Sequence, residues 1–83
     1  MDKAVALKYD LGFAAPLIVA SGHGELAERI TRIAREHGVT CTPAPAVAEG
    51  LVDVPVGSLI PEQYYQVVAE LLVFARGLGH ETD

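Results

Sequence analysis

The sequence is poor in cysteine, in basic residues and in long apolar runs, and each shortage excludes something. Cys41 is the sole cysteine, so no intrachain disulfide can form and cysteine-based zinc spacing is absent. Six basic residues face eleven acidic ones, for a net charge of −5. That balance argues against non-specific nucleic-acid binding and against an anionic membrane surface as partner. No apolar run approaches the roughly 20 residues needed to span a bilayer. No basic-then-apolar signal peptide opens the chain, so the expected compartment is the cytoplasm. No internal repeat or low-complexity segment is visible. What remains is a chain of 83 residues, 51% hydrophobic and 20% charged. This describes one folded domain, marginal in size, covering residues 1–83 with a core over 3–78 and a frayed tail over 79–83.

The first element is Ala4-Val5-Ala6-Leu7-Lys8-Tyr9. In a strand, Val5, Leu7 and Tyr9 share one face, and Ala4, Ala6 and Lys8 share the other. Asp10 and Gly12 mark a turn, and Pro16 favours an extended Ala15. The connection is too short for a parallel crossover. The next strand, Leu17-Ile18-Val19-Ala20, therefore runs antiparallel to the first. Ser21-Gly22-His23-Gly24 breaks it. A helix is expected from about Glu25 to His37, with Leu26, Ile30, Ile33 and His37 as its apolar stripe and Ala27 and Ala34 beside them. Glu25 and Arg29, and Glu28 and Arg32, sit at i,i+4 on the other side. Gly38 suits the left-handed position that ends a helix. Val39 to Thr42 reads as a third strand, parallel to the second through a right-handed βαβ crossover. Ala46 to Leu51 suits one or two helical turns, with Pro45 near the first position. Val52 to Gly57 is a loop. Pro61 and Glu62 open a last helix with Tyr64, Val68, Leu71, Ala75 and Leu78 on its stripe. The expected fold is α/β: a small mixed sheet of about three strands, the first pair antiparallel, with one βαβ unit, two main helices and a short helical turn.

The residues themselves reveal no active site. Gly22-His23-Gly24 precedes a helix N-terminus, where an anion could bind. It lacks a third spaced glycine, a Walker lysine and a ribose-binding acid, and a turn with Gly24 as N-cap is the simpler reading. Ser21 and His23 could pair as nucleophile and base, but nothing supplies a nucleophile elbow. His23, His37 and His80 lack metal-ligand spacing, and His37 suits a C-terminal dipole partner or a snorkelling residue at the edge of the core. Arg29, Arg32 and Arg35 form a ridge that Glu25, Glu28 and Glu36 can neutralise. Cys41 is expected to be a small buried hydrophobe. No catalytic residue, metal ligand or cofactor is assigned.

Several stretches taken together resemble the FlhB/YscU family of export-switch proteins of flagellar and virulence type III secretion systems. They are Ala4-Val5-Ala6-Leu7-Lys8-Tyr9-Asp10, Ala15 to Ala20 with Gly22, Leu26-Ala27 with Arg29-Ile30, Ile33-Ala34, and His37-Gly38. Further along come Val56-Gly57, Ile60-Pro61-Glu62, Tyr65 and Val68-Ala69-Glu70. The similarity covers residues 3–78 and is to the C-terminal cytoplasmic domain. Its weakest part is the Pro-rich middle, where Val47-Ala48, Gly50 and Leu51 resemble a shortened Pro-Leu-Ala-Arg-Ala-Leu segment. In the family an Asn-Pro-Thr-His self-cleavage motif precedes the first of these strands. Here Met1 and Asp2 stand where Thr and His would align, so the cleavage chemistry is not carried over. The strand that precedes the motif in the family's four-stranded sheet has no counterpart either. The expectation is a stand-alone, shortened paralogue of the switch domain.

The resemblance implies a non-enzymatic binding module. Its partners would be export substrates and export-gate proteins, in substrate-specificity switching. It would be cytoplasmic and recruited to the membrane-embedded export apparatus. An apolar patch proposed for substrate recognition in flagellar members aligns with Ala15, Pro16, Ala69 and Leu72, which could equally be plain packing. A second expectation is strand complementation, or a homodimer through an open edge of the sheet. A small phosphate-binding enzyme is the third.

Overall fold

A computed structural model describes residues 2–72. Its elements are β1 (Lys3–Lys8), β2 (Leu17–His23), α1 (Gly24–Glu36) and α2 (Pro45–Leu51), then a 3-10 turn at Glu62–Tyr64 that leads into a helix over 65–72. The Ala75 and Leu78 end of the expected last stripe, and the expected frayed tail, lie outside the described residues.

β1 and β2 pair antiparallel, as the short connection requires. Ala4 opposes Gly22 and Ala6 opposes Ala20, while Val5 opposes Ser21 and Leu7 opposes Ile18. The register shifts between Ala6 and Leu7, so Val19 is the extra residue of a bulge. Alternation then gives the sheet two unlike faces. One carries the small set Ala4, Ala6, Ala20 and Gly22. The other carries Val5, Leu7 and Ile18, which pack into the main core of Ala15, Ile18, Leu51, Ile60 and Val68.

The small face explains α1. Ala27 and Thr31 are its buried residues, with Ile30 and Ala34 half-buried, whereas Leu26 and Ile33 are each 47% exposed. Leu26 and Ile33 of the expected stripe are therefore rotated toward solvent, while Ile30 stays half-buried. Small side chains on both partners let helix and sheet approach closely, and a leucine pointed straight down would not fit. Leu26 instead lies over Gly22, where a Cβ would collide with it. Thr31 satisfies its hydroxyl by donating to the Ala27 carbonyl at 3.0 Å. Gly38, at φ 75°, ends the helix in the left-handed conformation. The Nδ1 of His37 lies 2.9 Å from the Ile33 carbonyl, the helix-end role expected of it.

The third strand and its βαβ unit are not present among the described residues. The free edge of β2 is already used. Ile18 N–H donates to the Ser58 carbonyl, Gly57 N–H to the Ile18 carbonyl and Ile60 N–H to the Pro16 carbonyl, at 2.8–3.0 Å. Leu17 and Leu59 complete a single bridge there. The segment 57–60 thus occupies the place a parallel crossover strand would take. Val39 spends its N–H on the Ala34 carbonyl at 2.8 Å, and Pro43 and Pro45 have no N–H to give. Cys41, expected to be buried in that strand, is exposed. The short helix α2 has Pro45 at its start, as expected. Neither the Glu25–Arg29 nor the Glu28–Arg32 pair closes to ion-pair distance among the described residues.

Candidate docking site

Two elements meet at the end of β1 that lies away from α1's start. Tyr9 directly follows β1. The Asp10 carbonyl accepts from Phe13 N–H at 2.9 Å, turning the chain so that Ala14, Ala15 and Pro16 return toward β2. Tyr65, Ala69 and Leu72 stand at i, i+4 and i+7 on the last helix, so they share one of its faces. These seven residues line a cavity of about 270 Å³. Ala15, 2% exposed, and Pro16 are buried and form its floor. Leu72 is half-buried and Ala69 lies on the rim. Tyr9 and Tyr65 remain 42% and 41% exposed.

The structure therefore brings Ala15, Pro16, Ala69 and Leu72 to one place. It divides their roles: Ala15 belongs to the core and Pro16 is buried, Leu72 packs half-buried against that core, and Ala69 is exposed. Tyr9, Ala14 and Tyr65 join them and were not singled out from the sequence. The signal for Tyr65 was present, since it lies one helical turn before Ala69. Tyr9 shares a strand face with Val5 and Leu7 by alternation, yet it stands just past the end of β1 and 42% exposed. No lining residue is charged, so the cavity can offer apolar surface and two phenol groups but no ionic anchor.

The other candidates gain little. β2 runs through Ser21 to His23 without the expected break, and α1 begins at once at Gly24, with φ 55°. Gly24 N–H already donates to the Asp2 carbonyl at 2.7 Å. No hydrogen bond joins Ser21 to His23 among the described residues. The Nε2 of His23 lies 3.8 Å from the Asp53 carboxylate at an exposed site. Among the described residues no group of three or more His, Cys, Asp or Glu side chains could hold a metal; His80 lies outside them.

The comparisons with known proteins decide the family. The sequence profile of the FlhB HrpN YscU SpaS family matches residues 1–75.

This chain belongs to that family.

It is 41% identical over 73 residues to the flagellar biosynthetic protein FlhB of Bacillus subtilis (strain 168), covering 86% of this chain and 20% of that protein. It is 42% identical over 73 residues to FlhB of Salmonella typhimurium (strain LT2), covering 86% of this chain and 19% of that one. The chain thus spans about a fifth of the length of these curated FlhB relatives. Among solved structures, the cytoplasmic domain of FlhB from Shewanella putrefaciens superposes with a TM-score of 0.88 at 30% identity, over 96% of this chain and 67% of that one. The PscU C-terminal domain superposes at 0.84 with 30% identity, over 89% and 96%. The α/β fold is thus that of the C-terminal domains of FlhB-family proteins. No helix among the described residues is long and apolar enough to cross a membrane.

Proposed function

We propose that this chain is a non-enzymatic binding module of the flagellar or type III protein export apparatus, which engages export substrates through the Tyr9–Tyr65 cavity. The reading holds the chain to be one domain over 1–83, acting in the cytoplasm at the membrane-embedded export machinery. The observation that carries it is the convergence of Ala15, Pro16, Ala69 and Leu72 on a single uncharged cavity between two half-exposed tyrosines. A concave apolar site of this kind, rimmed by tyrosines, suits an apolar side chain of an unfolded or extended segment. Its buried floor fixes shape, while Tyr65 and Ala69 meet the ligand. Export-gate proteins are the other class of partner for the same surface, and specificity switching is the process the binding serves.

The test must leave the floor alone. Ala15→Asp would place a carboxylate at a 2%-exposed core position and unfold the domain. Ala69→Asp and Tyr65→Ala act on exposed positions. Calorimetric titration with a purified hook-type subunit should show roughly tenfold or greater weakening for each, on the order of 1.4 kcal/mol or more, with an unchanged far-UV spectrum. Equal affinity for both variants and the parent chain would remove the cavity from the account.

A further inference from the structure

Leu11 is 95% exposed, far more than any other large apolar side chain among the described residues; Val56 comes next at 57%. It stands at the tip of the turn that joins Tyr9 to Ala14, where Phe13 N–H donates to the Asp10 carbonyl at 2.9 Å. Phe13 is half-buried, so the turn tucks one apolar side chain in and holds the other out. A lone apolar residue on a surface is ordinary, but this one has a matching feature beside it. Both ends of its turn, Tyr9 and Ala14, line the Tyr9–Tyr65 cavity. Two residues of chain span at most about 7 Å, so an apolar knob stands within that reach of the rim of an apolar hole. The knob does not fill its own hole, since nearly all of Leu11 is in solvent. Charges of both signs flank it. Lys8 and Asp10 stand on either side of Tyr9, 3.9 Å apart, with side chains 61% and 60% exposed.

We propose that this face binds a second copy of the chain about a two-fold axis, with the Leu11 of each copy seated in the Tyr9–Tyr65 cavity of the other. A two-fold contact joins the same patch on both molecules, so it needs one surface that carries both a projection and its complement. Leu11 and the cavity are such a pair. The cavity has no charged lining residue, so a leucine side chain can enter it without leaving a buried charge unpaired. An axis passing beside Tyr9, which adjoins both knob and hole, brings Lys8 of each copy to Asp10 of the other. The rim of the contact is then attractive at both ends and fixes its orientation. The contact is small, roughly eight residues a side against the 20–30 of a standard interface. A net charge of −5 on each copy also opposes it. The dimer is therefore weak, and it forms where chains are concentrated. While it lasts, both cavities are closed to other ligands. On the reading above that the cavity engages export substrates, self-association holds the free chain in a closed state that a substrate must displace.

The test is a dilution series of the isotope-labelled whole chain from about 2 mM to about 20 μM, read by backbone shifts and by diffusion. Signals of Leu11, Ala14, Tyr65 and Ala69 should move together with concentration, and diffusion should slow toward that of a dimer. Leu11→Ser alters only an exposed tip and should weaken self-association roughly tenfold or more, with an unchanged far-UV spectrum. Lys8→Glu should weaken it about threefold, and adding Asp10→Lys should restore it. A mixing experiment identifies the occupant. Labelled Leu11→Ser chain keeps the hole and lacks the knob, whereas unlabelled Ala69→Asp chain keeps the knob and has a charge at its hole. Adding the second to the first should shift Tyr65 and Ala69 of the labelled chain, and the unlabelled double variant should not. Spectra independent of concentration over the whole series, or self-association unchanged in Leu11→Ser, would overturn the proposal. So would a mixture that leaves Tyr65 and Ala69 unmoved. A hook-type subunit that fails to bind the cavity would remove the competition, and the function proposed above, while leaving these readouts as they are.

Discussion

Helix α1 packs through its small residues, and this makes a prediction opposite to the one its hydrophobic pattern suggests. Ala27 is fully buried against the sheet face of Ala4, Ala6, Ala20 and Gly22. Ala27→Leu adds three carbons where no space exists. Overpacking of this kind costs about 1–3 kcal/mol, or a fall in Tm of about 4–24 °C for a domain of this size. Leu26→Ala removes the same three carbons from a side chain that is 47% exposed. A fully buried leucine gains roughly 1.5–3 kcal/mol from burial, so about half of that is at stake. Alanine's higher helix propensity returns a few tenths, leaving a net cost of about 1 kcal/mol or less. Because the chain has no tryptophan, unfolding is best followed in urea by far-UV circular dichroism, with the slope checked for constancy. The predicted order is Ala27→Leu clearly below Leu26→Ala in stability. A neutral Ala27→Leu, or a Leu26→Ala that costs 2 kcal/mol or more, would mean that the large stripe faces inward and that the packing described above is wrong.

Gly50 lies against the Tyr64 ring, with no room for a Cβ. A Gly→Ala change inside a helix ordinarily gains up to about 1 kcal/mol; here Gly50→Ala should instead lose about 1–3 kcal/mol in thermal unfolding, and the Tyr64→Leu background should remove most of that loss. The Asp2 carboxylate accepts a hydrogen bond from the Lys3 ammonium at 2.9 Å, which holds its pKa below the ordinary aspartate range. Its contribution is therefore present above the unfolded pKa and lost as pH falls through the folded one. Carbon-detected NMR titration should show Asp2 protonating late in acid and returning to the ordinary range in Lys3→Ala. Because the pair is exposed, the acid-unfolding midpoint should not move.

Much of this fold is written locally. The Asp10–Gly12 turn forces an antiparallel first pair, Gly38 ends α1, and Pro45 starts α2, each by a constraint confined to a few residues. The larger departures involve competition between distant segments, whereas the continuation of β2 through Ser21 to His23 and the open Glu25–Arg29 and Glu28–Arg32 pairs are local ones. Val39 to Thr42 has strand composition, but whether it pairs depends on whether the edge of β2 is free, and residues 57–60, with unremarkable strand signals, hold that edge. The rotation of α1 likewise depends on what the sheet presents to it. Ala4, Ala6 and Gly22 recur at strand spacing, so the small face was visible, but its consequence for Leu26 required knowing that α1 lies on that side. The candidate site was legible only through family resemblance. Nothing in the composition distinguishes Ala69 from any other helix alanine until Tyr65, Pro16 and Tyr9 are seen around it.

The central claim is that this domain binds export substrates at the Tyr9–Tyr65 cavity, and a shift map measures that most directly. Isotope-labelled chain would be titrated with an unlabelled hook-type subunit, and the backbone and tyrosine ring signals followed. The account predicts perturbations concentrated at Tyr9, Ala14 to Pro16, Tyr65 and Ala69, saturating together with one dissociation constant. Perturbations that miss these residues, or a subunit that leaves the spectrum unchanged, would contradict it.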